Sequence, residues 1–248
     1  RTLLAEIIAI DTTSSNSNEP FVSCIEKYFA DSTVQCHRIP TDSQGKLNVL
    51  LVKGTPSEEG LTLCGHMDTV PASPERWESD PWVLSERDGC LFARGACDMK
   101  GFVAIALQAI ERAQVKHGCL AVLIACDEEL GSFGAKHILQ HGLPVDIPKQ
   151  VIIGEPTSLQ VVRLHKGHLS MQITIEGVSA HTGSPHLGKN AAVASAKVIT
   201  ALSELADVYQ TRSTDSSQYF SKEAEFPVLT VATVQSGSAI NVVPESCE

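Results

Sequence analysis

Residues 120–129, LAVLIACDEE, decide how this chain folds and where its chemistry sits. Six apolar residues in a row fit a strand buried on both faces, as in a parallel sheet covered by helices. Two residues later come Asp127, Glu128 and Glu129. Adjacent carboxylates at the end of a buried strand are costly without a cation. A solvated acidic turn is the alternative, but the run before it is too apolar for an edge strand. Open α/β sheets place ligands just beyond the carboxyl ends of their strands. There, one glutamate can bind a metal while the other faces a water made acidic by it, as general base.

Outward from this run, strands and helices alternate. Residues 3–10 and 21–29 carry apolar side chains at helical spacing, with a polar break between them. Residues 48–52 and 61–64 read as strands, 99–114 as a helix, 135–140 as a short helix and 151–153 as another buried strand. This order predicts an α/β domain with a largely parallel sheet over residues 1–165. After His165 the pattern changes. Leu169, Met171, Ile173 and Ile175 alternate with polar residues, which predicts a half-exposed strand. A long helix with Ala191, Val198 and Leu205 on its apolar side, a polar loop at 211–217 and a strand at 228–234 follow. Residues 166–248 are therefore expected to form a smaller α+β domain.

Three more polar clusters stand near strand or helix ends. His66 and Asp68 follow the strand at 61–64; the imidazole can take a metal through one ring nitrogen while the Asp68 carboxylate bonds the other. Asp98, between Gly95 and Gly101, opens a helix; it fits either an N-cap or a carboxylate bridging two metals. Glu155 follows the strand at 151–153. Each is a modest signal alone. Together they place imidazole and carboxylate ligands after three buried strands, a mixture that suits zinc, cobalt or manganese. A pair of metals about 3.5–4 Å apart sharing one carboxylate is a hydrolytic arrangement.

Composition narrows the alternatives. With 248 residues, 43% of them hydrophobic, the chain can bury a sizeable core. A formal net charge of -10 and no long basic run argue against nucleic acid or an anionic membrane as partner. The eight cysteines form no C-x-x-C pair, and several lie in apolar runs, so they read as buried thiols in a reducing cytoplasm. No run approaches the roughly 18 apolar residues of a membrane span, and no signal-peptide pattern opens the chain.

The motifs GHMDTVP, RGACDMKG, CDEELGSFGA, IIGEPTS and GVSAHTGSPHLGKNA are ordered along nearly the whole chain. In them the chain resembles the co-catalytic zinc peptidases, a family that includes acetylornithine deacetylases, succinyl-diaminopimelate desuccinylases, aminoacylases and glutamate carboxypeptidases. The resemblance implies two divalent metals, zinc first and cobalt second. His66, Asp98 and Glu155 would hold one metal. Asp98 would bridge to the other, held also by Glu129. Glu128 would be the base and Asp68 would orient His66. It further implies an inserted lid that makes a homodimer contact, with His181 reaching across the dimer to the scissile carbonyl and Asn241 near the substrate.

Within the family, VRLHKGHLSM and IIGEPTSLQ are most similar to the acetylornithine branch. That branch implies release of acetate and L-ornithine from N2-acetyl-L-ornithine, in arginine biosynthesis. The other expectations are a different N-acyl amino acid deacylase or dipeptidase, and a non-catalytic binding protein of the same fold. One departure stands out. The family's second metal takes a histidine from a motif near the far C-terminus, and His137, His141, His165, His168 and His186 do not match it. The chain opens on Arg1 and stops at Glu248 inside a strand-like stretch. The expectation is therefore a fragment, poorly active alone, that binds one metal better than two.

Overall fold

The computed structural model describes residues 1–212, 219 and 225–248. They fall into two compact units, Arg1–Arg163 and Leu164–Glu248.

The first unit is built on a five-stranded sheet in the order β1-β2-β6-β3-β7. Its strands are β1 (Gln35–Pro40), β2 (Leu47–Gly54), β3 (Gly60–His66), β6 (Cys119–Ala125) and β7 (Val151–Ile153). A separate two-stranded ribbon joins β4 (Ser85–Arg87) to β5 (Cys90–Phe92). The sheet is mixed. β6, β3 and β7 run parallel, and β1 and β2 add an antiparallel half beside β6. β1 has no counterpart in the sequence reading: its alternation is broken by Cys36, His37 and Arg38, and it forms a strand by pairing along the largely apolar, buried β2.

Side-chain alternation sorts the core onto two faces. Val49, Leu51, Val122 and Ile124 meet three helices: α1 (Thr2–Ile8), α2 (Glu19–Tyr28) and α3 (Lys100–Arg112), through Ile7, Phe21, Ile25, Val103, Leu107 and Ile110. Leu50, Val52 and Ala121 face the other way, toward Leu143, Val145 and Ile147. Helix α4 (Phe133–His141) is tied to β2 by Asn48, which is fully buried. The Asn48 side chain donates to the Gly134 carbonyl at 3.0 Å and accepts from the Cys126 amide at 2.9 Å.

Lys100 is fully buried at the start of α3. Its ammonium donates to the Ile7 and Ile10 carbonyls at 3.0 and 2.7 Å, where the carbonyl end of α1 carries partial negative charge. Burial nevertheless pulls its pKa down to about 8.

The second unit holds β8 (Ile175–Glu176), α5 (Ala191–Gln210) and β9 (Ser246–Cys247). Asn190 caps α5 by accepting from the Val193 amide at 3.0 Å. The expected strand at 169–175 is reduced to Ile175 and Glu176, paired with β9, and no strand forms at 228–234. Alternation records which side chains share a face; a strand also needs a neighbour to accept its hydrogen bonds. Among the described residues those stretches have no ladder partner, and Leu169, Met171 and Val228 stay exposed. Most of the expected loop at 211–217 lies outside the described residues. No helix among the described residues is long and apolar enough to cross a membrane.

Candidate metal centre

Three parallel strands end side by side. In register, His66 of β3 faces Ala125 of β6, and Cys64 faces Ile153 of β7. Neighbouring strands lie about 4.8 Å apart, so residues just past three adjacent ends converge. Gly154 makes the last approach possible: a Cβ there would lie 2.0 Å from the Phe102 ring on α3.

His66 is the centre of the group and is 2% exposed. Its Nε2 lies 3.0 Å from Asp98 Oδ1, 3.8 Å from Glu155 Oε1 and 4.0 Å from Glu128 Oε2. One ligand atom each from His66, Asp98 and Glu129 fits within 4.8 Å. Asp98 is not a helix cap. α3 begins at Lys100 with Met99 as its cap residue, and the Asp98 carboxylate bonds His66 instead.

Asp68 supports His66 by a different route from the one expected. His66 Nδ1 donates to the Asp68 main-chain carbonyl at 2.9 Å, while the nearer carboxylate oxygen lies 3.6 Å away. That carboxylate accepts from the Glu128 amide at 3.0 Å, the Glu129 amide at 3.2 Å and the Ser14 hydroxyl at 2.8 Å. The physical reason is geometric. The acidic turn presents two main-chain donors that only a buried acceptor can satisfy, and Asp68 is 2% exposed beside it. Asp68 therefore holds both ends of the site, the imidazole through its backbone and the acidic turn through its side chain.

The turn is pinned on its other side by Lys46. Its ammonium contacts Asp127 Oδ1 at 2.8 Å and the Ser14 carbonyl at 2.6 Å, with both side chains of the ion pair largely buried. Asp127 has φ of 53°, in the left-handed region that aspartate tolerates better than most residues. Sequence reasoning missed Ser14, Lys46 and Lys100. Only long-range contacts reveal the first two; a lysine directly after the Asp98 motif was the one visible hint of the third.

The electrostatics fit a cation. Burial lowers the His66 pKa, but the charges of Asp68, Glu155, Asp98 and Glu128 outweigh it and the net shift is upward. Both ring nitrogens face oxygen acceptors, which also describes an imidazolium. Burial raises the Glu129 pKa, and neighbouring carboxylates raise it further. Burial raises Glu155 as well, with Asp98 and Glu128 adding to it and His66 opposing. Negative charge is thus crowded around one imidazole, and a divalent ion in place of the Nε2 proton would relieve it. Among the described residues of this unit, no second histidine joins the cluster.

In the second unit, a bridge between His181 and Val242 sets His181 beside Asn241, whose carbonyl accepts from the Thr182 amide at 3.1 Å. His181 Nδ1 accepts from the Gly183 amide at 3.0 Å, which leaves Nε2 as the protonated donor nitrogen.

This α/β unit gathers imidazole and carboxylate groups at its parallel strand ends, a donor set that suits a divalent metal. The chain belongs to Peptidase family M20/M25/M40, whose profile matches residues 62–243. It is 36% identical to an acetylornithine deacetylase of Proteus mirabilis over 98% of this chain and 62% of that protein. It is 34% identical to one of Myxococcus xanthus over 100% of this chain and 64% of that protein. The chain thus spans somewhat under two thirds of the length of these curated relatives. Its fold is similar to that of an M20 family metallo-carboxypeptidase, Sso-CP2, from Sulfolobus solfataricus, with TM-score 0.65, 18% identity, and coverage of 98% of this chain and 68% of that one. The di-peptidase Dug1p of Saccharomyces cerevisiae gives TM-score 0.62 at 16% identity, over 99% and 67%.

Proposed function

We propose that this chain carries the metal-holding half of an amide hydrolase that removes the acetyl group from N2-acetyl-L-ornithine. The observation that carries the reading is His66 Nε2 within 4.0 Å of the carboxylates of Asp98, Glu128 and Glu155, at the ends of three parallel strands. The substrate assignment rests on the relatives named acetylornithine deacetylase.

His66, Asp98 and Glu155 would hold one ion, and Asp98 and Glu129 would hold a second; zinc suits this donor set, and cobalt is the second choice. When bound, the ions polarise the amide carbonyl and acidify water. Glu128 receives the proton of the attacking water and passes it to the leaving amine. Its backbone is fixed for that task by the Asp68 carboxylate. His181 Nε2–H donates to the carbonyl oxygen as negative charge develops there, from the second copy in a homodimer, with Asn241 beside it. The exposed apolar residues Leu169, Met171 and Val193 on the 164–248 unit support a dimer contact.

The test uses the longer protein that contains this chain, with acetylornithine, succinyl-diaminopimelate and dipeptides as substrates. Preferred release of acetate from acetylornithine is expected. Preference for the succinylated diamine would overturn the substrate assignment, and a monomeric mass by light scattering would overturn the dimer role of His181.

A further inference from the structure

A second imidazole–carboxylate group lies outside the centre described above. His137 and His141 stand four residues apart on α4, so their rings project from the same helical face. The ring centroids are 4.3 Å apart with planes inclined by 32°. Asp42, in the turn between β1 and β2, reaches the same point. Its Oδ2 lies 3.5 Å from His137 Nδ1 and 3.9 Å from His141 Nε2. One ligand atom from each of the three falls within 4.8 Å of the others.

Hydrogen bonding does not account for this arrangement. His137 Nδ1 is buried and has no hydrogen-bond partner, although a carboxylate oxygen stands close by. A buried polar nitrogen without a partner is uncommon in a folded protein and costs free energy. The separations do match those of ligands around one ion. With metal–nitrogen and metal–oxygen distances of about 2.0–2.1 Å, tetrahedral ligand atoms stand roughly 3.3 Å apart. The 3.5 and 3.9 Å contacts need only small side-chain adjustments to reach that. Two imidazoles and one carboxylate suit zinc and its first-row neighbours, not magnesium or calcium, which prefer all-oxygen ligands.

We propose that Asp42, His137 and His141 form a second metal site, which takes a zinc-class divalent cation and clips the β1–β2 turn to helix α4. The fourth position is left to water, since Asp42 and His141 are both open to solvent, at 83% and 55% side-chain exposure. The role is structural: the site joins the β1–β2 turn to α4, whose first turn is tied to the neighbouring β2 by the Asn48–Gly134 hydrogen bond. It shares no ligand with the His66 cluster, so it stands or falls independently of the proposed hydrolase activity.

The experiment counts zinc equivalents bound by the 248-residue chain, by competition against a chromogenic chelator, with zinc as the only added metal. His137→Ala/His141→Ala should lose one equivalent, while Asp98→Asn keeps it. His141→Ala alone, at a half-exposed position that cannot disturb the core, should weaken that equivalent by more than the roughly 10- to 100-fold typical of losing a mere supporting group. Copper(II) in place of zinc gives a direct readout. Its paramagnetic resonance should show two-nitrogen coupling that disappears in the double variant and persists in Asp98→Asn. An unchanged zinc count in the double variant, or a copper signal indifferent to His137 and His141, would overturn the proposal.

Discussion

The first unit presents the same donor types, imidazole and carboxylate, in two places that were built in opposite ways. The His66 cluster is assembled from four separate stretches of chain at the ends of β3, β6 and β7 and ahead of α3. It is held by buried supports that never touch a metal: Asp68, Ser14 and Lys46. The α4 cluster takes two of its three members from one helical turn, and two of the three, Asp42 and His141, are exposed. One centre has a single imidazole among crowded carboxylates, which leaves room for acid–base chemistry. The other has two imidazoles and one carboxylate, a set suited to gripping an ion. Ligand type alone therefore does not separate a reacting centre from a clip; the surrounding supports do.

The sharpest way to break this contrast is to remove the base. Glu128→Gln in the longer, active protein should cut turnover by about 10²- to 10⁴-fold, the usual scale for a positioned acid–base group. Zinc content should stay unchanged, because Gln keeps the turn and its amide bond to Asp68. Unchanged turnover would remove Glu128 from this role. His137→Ala/His141→Ala should leave turnover at the parent level, and a collapse there would mean that the two clusters are one functional unit.

The supports come next. Lys46→Met strands Asp127 as an unpaired buried carboxylate, and breaking such a pair costs about 3–5 kcal/mol. Urea unfolding of the first unit should show it. Lys46→Met combined with Asp127→Asn should recover part of the loss. A single variant no weaker than the parent would show that the turn does not depend on this ion pair.

Metal addition gives a smaller effect. Zinc at 100 times its dissociation constant stabilises a single site by about 2.7 kcal/mol. For a unit of this size that corresponds to roughly 5–10 °C in thermal midpoint. The rise should persist in His137→Ala/His141→Ala, reduced by the share of the α4 site, and the His66 cluster of this chain should then retain one equivalent. Counting equivalents without that variant would mix the two sites, so the expectation of one metal at the main centre is tested only with it.

How far the sequence led differs between the regions for physical reasons. The three strand ends were legible because each apolar run stops at a polar ligand type, and repetition at three strands makes chance a poor explanation; the run at 151–153, read as buried, is an exposed edge strand. The supports were not legible. Nothing local announces that Lys46 meets Asp127, 81 residues further on, or that Ser14 meets the Asp68 carboxylate, 54 residues further on. The route from Asp68 to His66 was misjudged because an H-x-D spacing does not reveal which oxygen the ring meets. The pair His137 and His141 was visible as an i,i+4 spacing, but Asp42 is brought to it only by the β1–β2 pairing. In the 164–248 unit, the apolar alternation at 169–175 and the apolar run at 228–234 were real, yet without neighbouring strands they did not become a sheet.

The smallest effect, and the one that separates the clusters most cleanly, is the pH dependence of stability. In the metal-free chain the pKa values of His66, Glu129 and Glu155 are all raised. The folded cluster therefore holds protons more tightly than the unfolded chain does. Its contribution to stability is fully present below the ordinary carboxylate and imidazole values of 4.5 and 6.5 and is lost as pH rises through the raised ones. Metal-free protein should lose thermal midpoint as pH rises above these ordinary values, on account of these groups. Zinc should reverse the trend, because metal ligation needs the same groups deprotonated. Asp98→Asn should weaken both the metal-free slope and its reversal, since Asp98 contributes to all three shifts. Asp42→Asn should leave the metal-free slope as it is, because Asp42 contributes to none of them. A slope that ignores Asp98 but follows Asp42 would place the crowded charge at the wrong cluster.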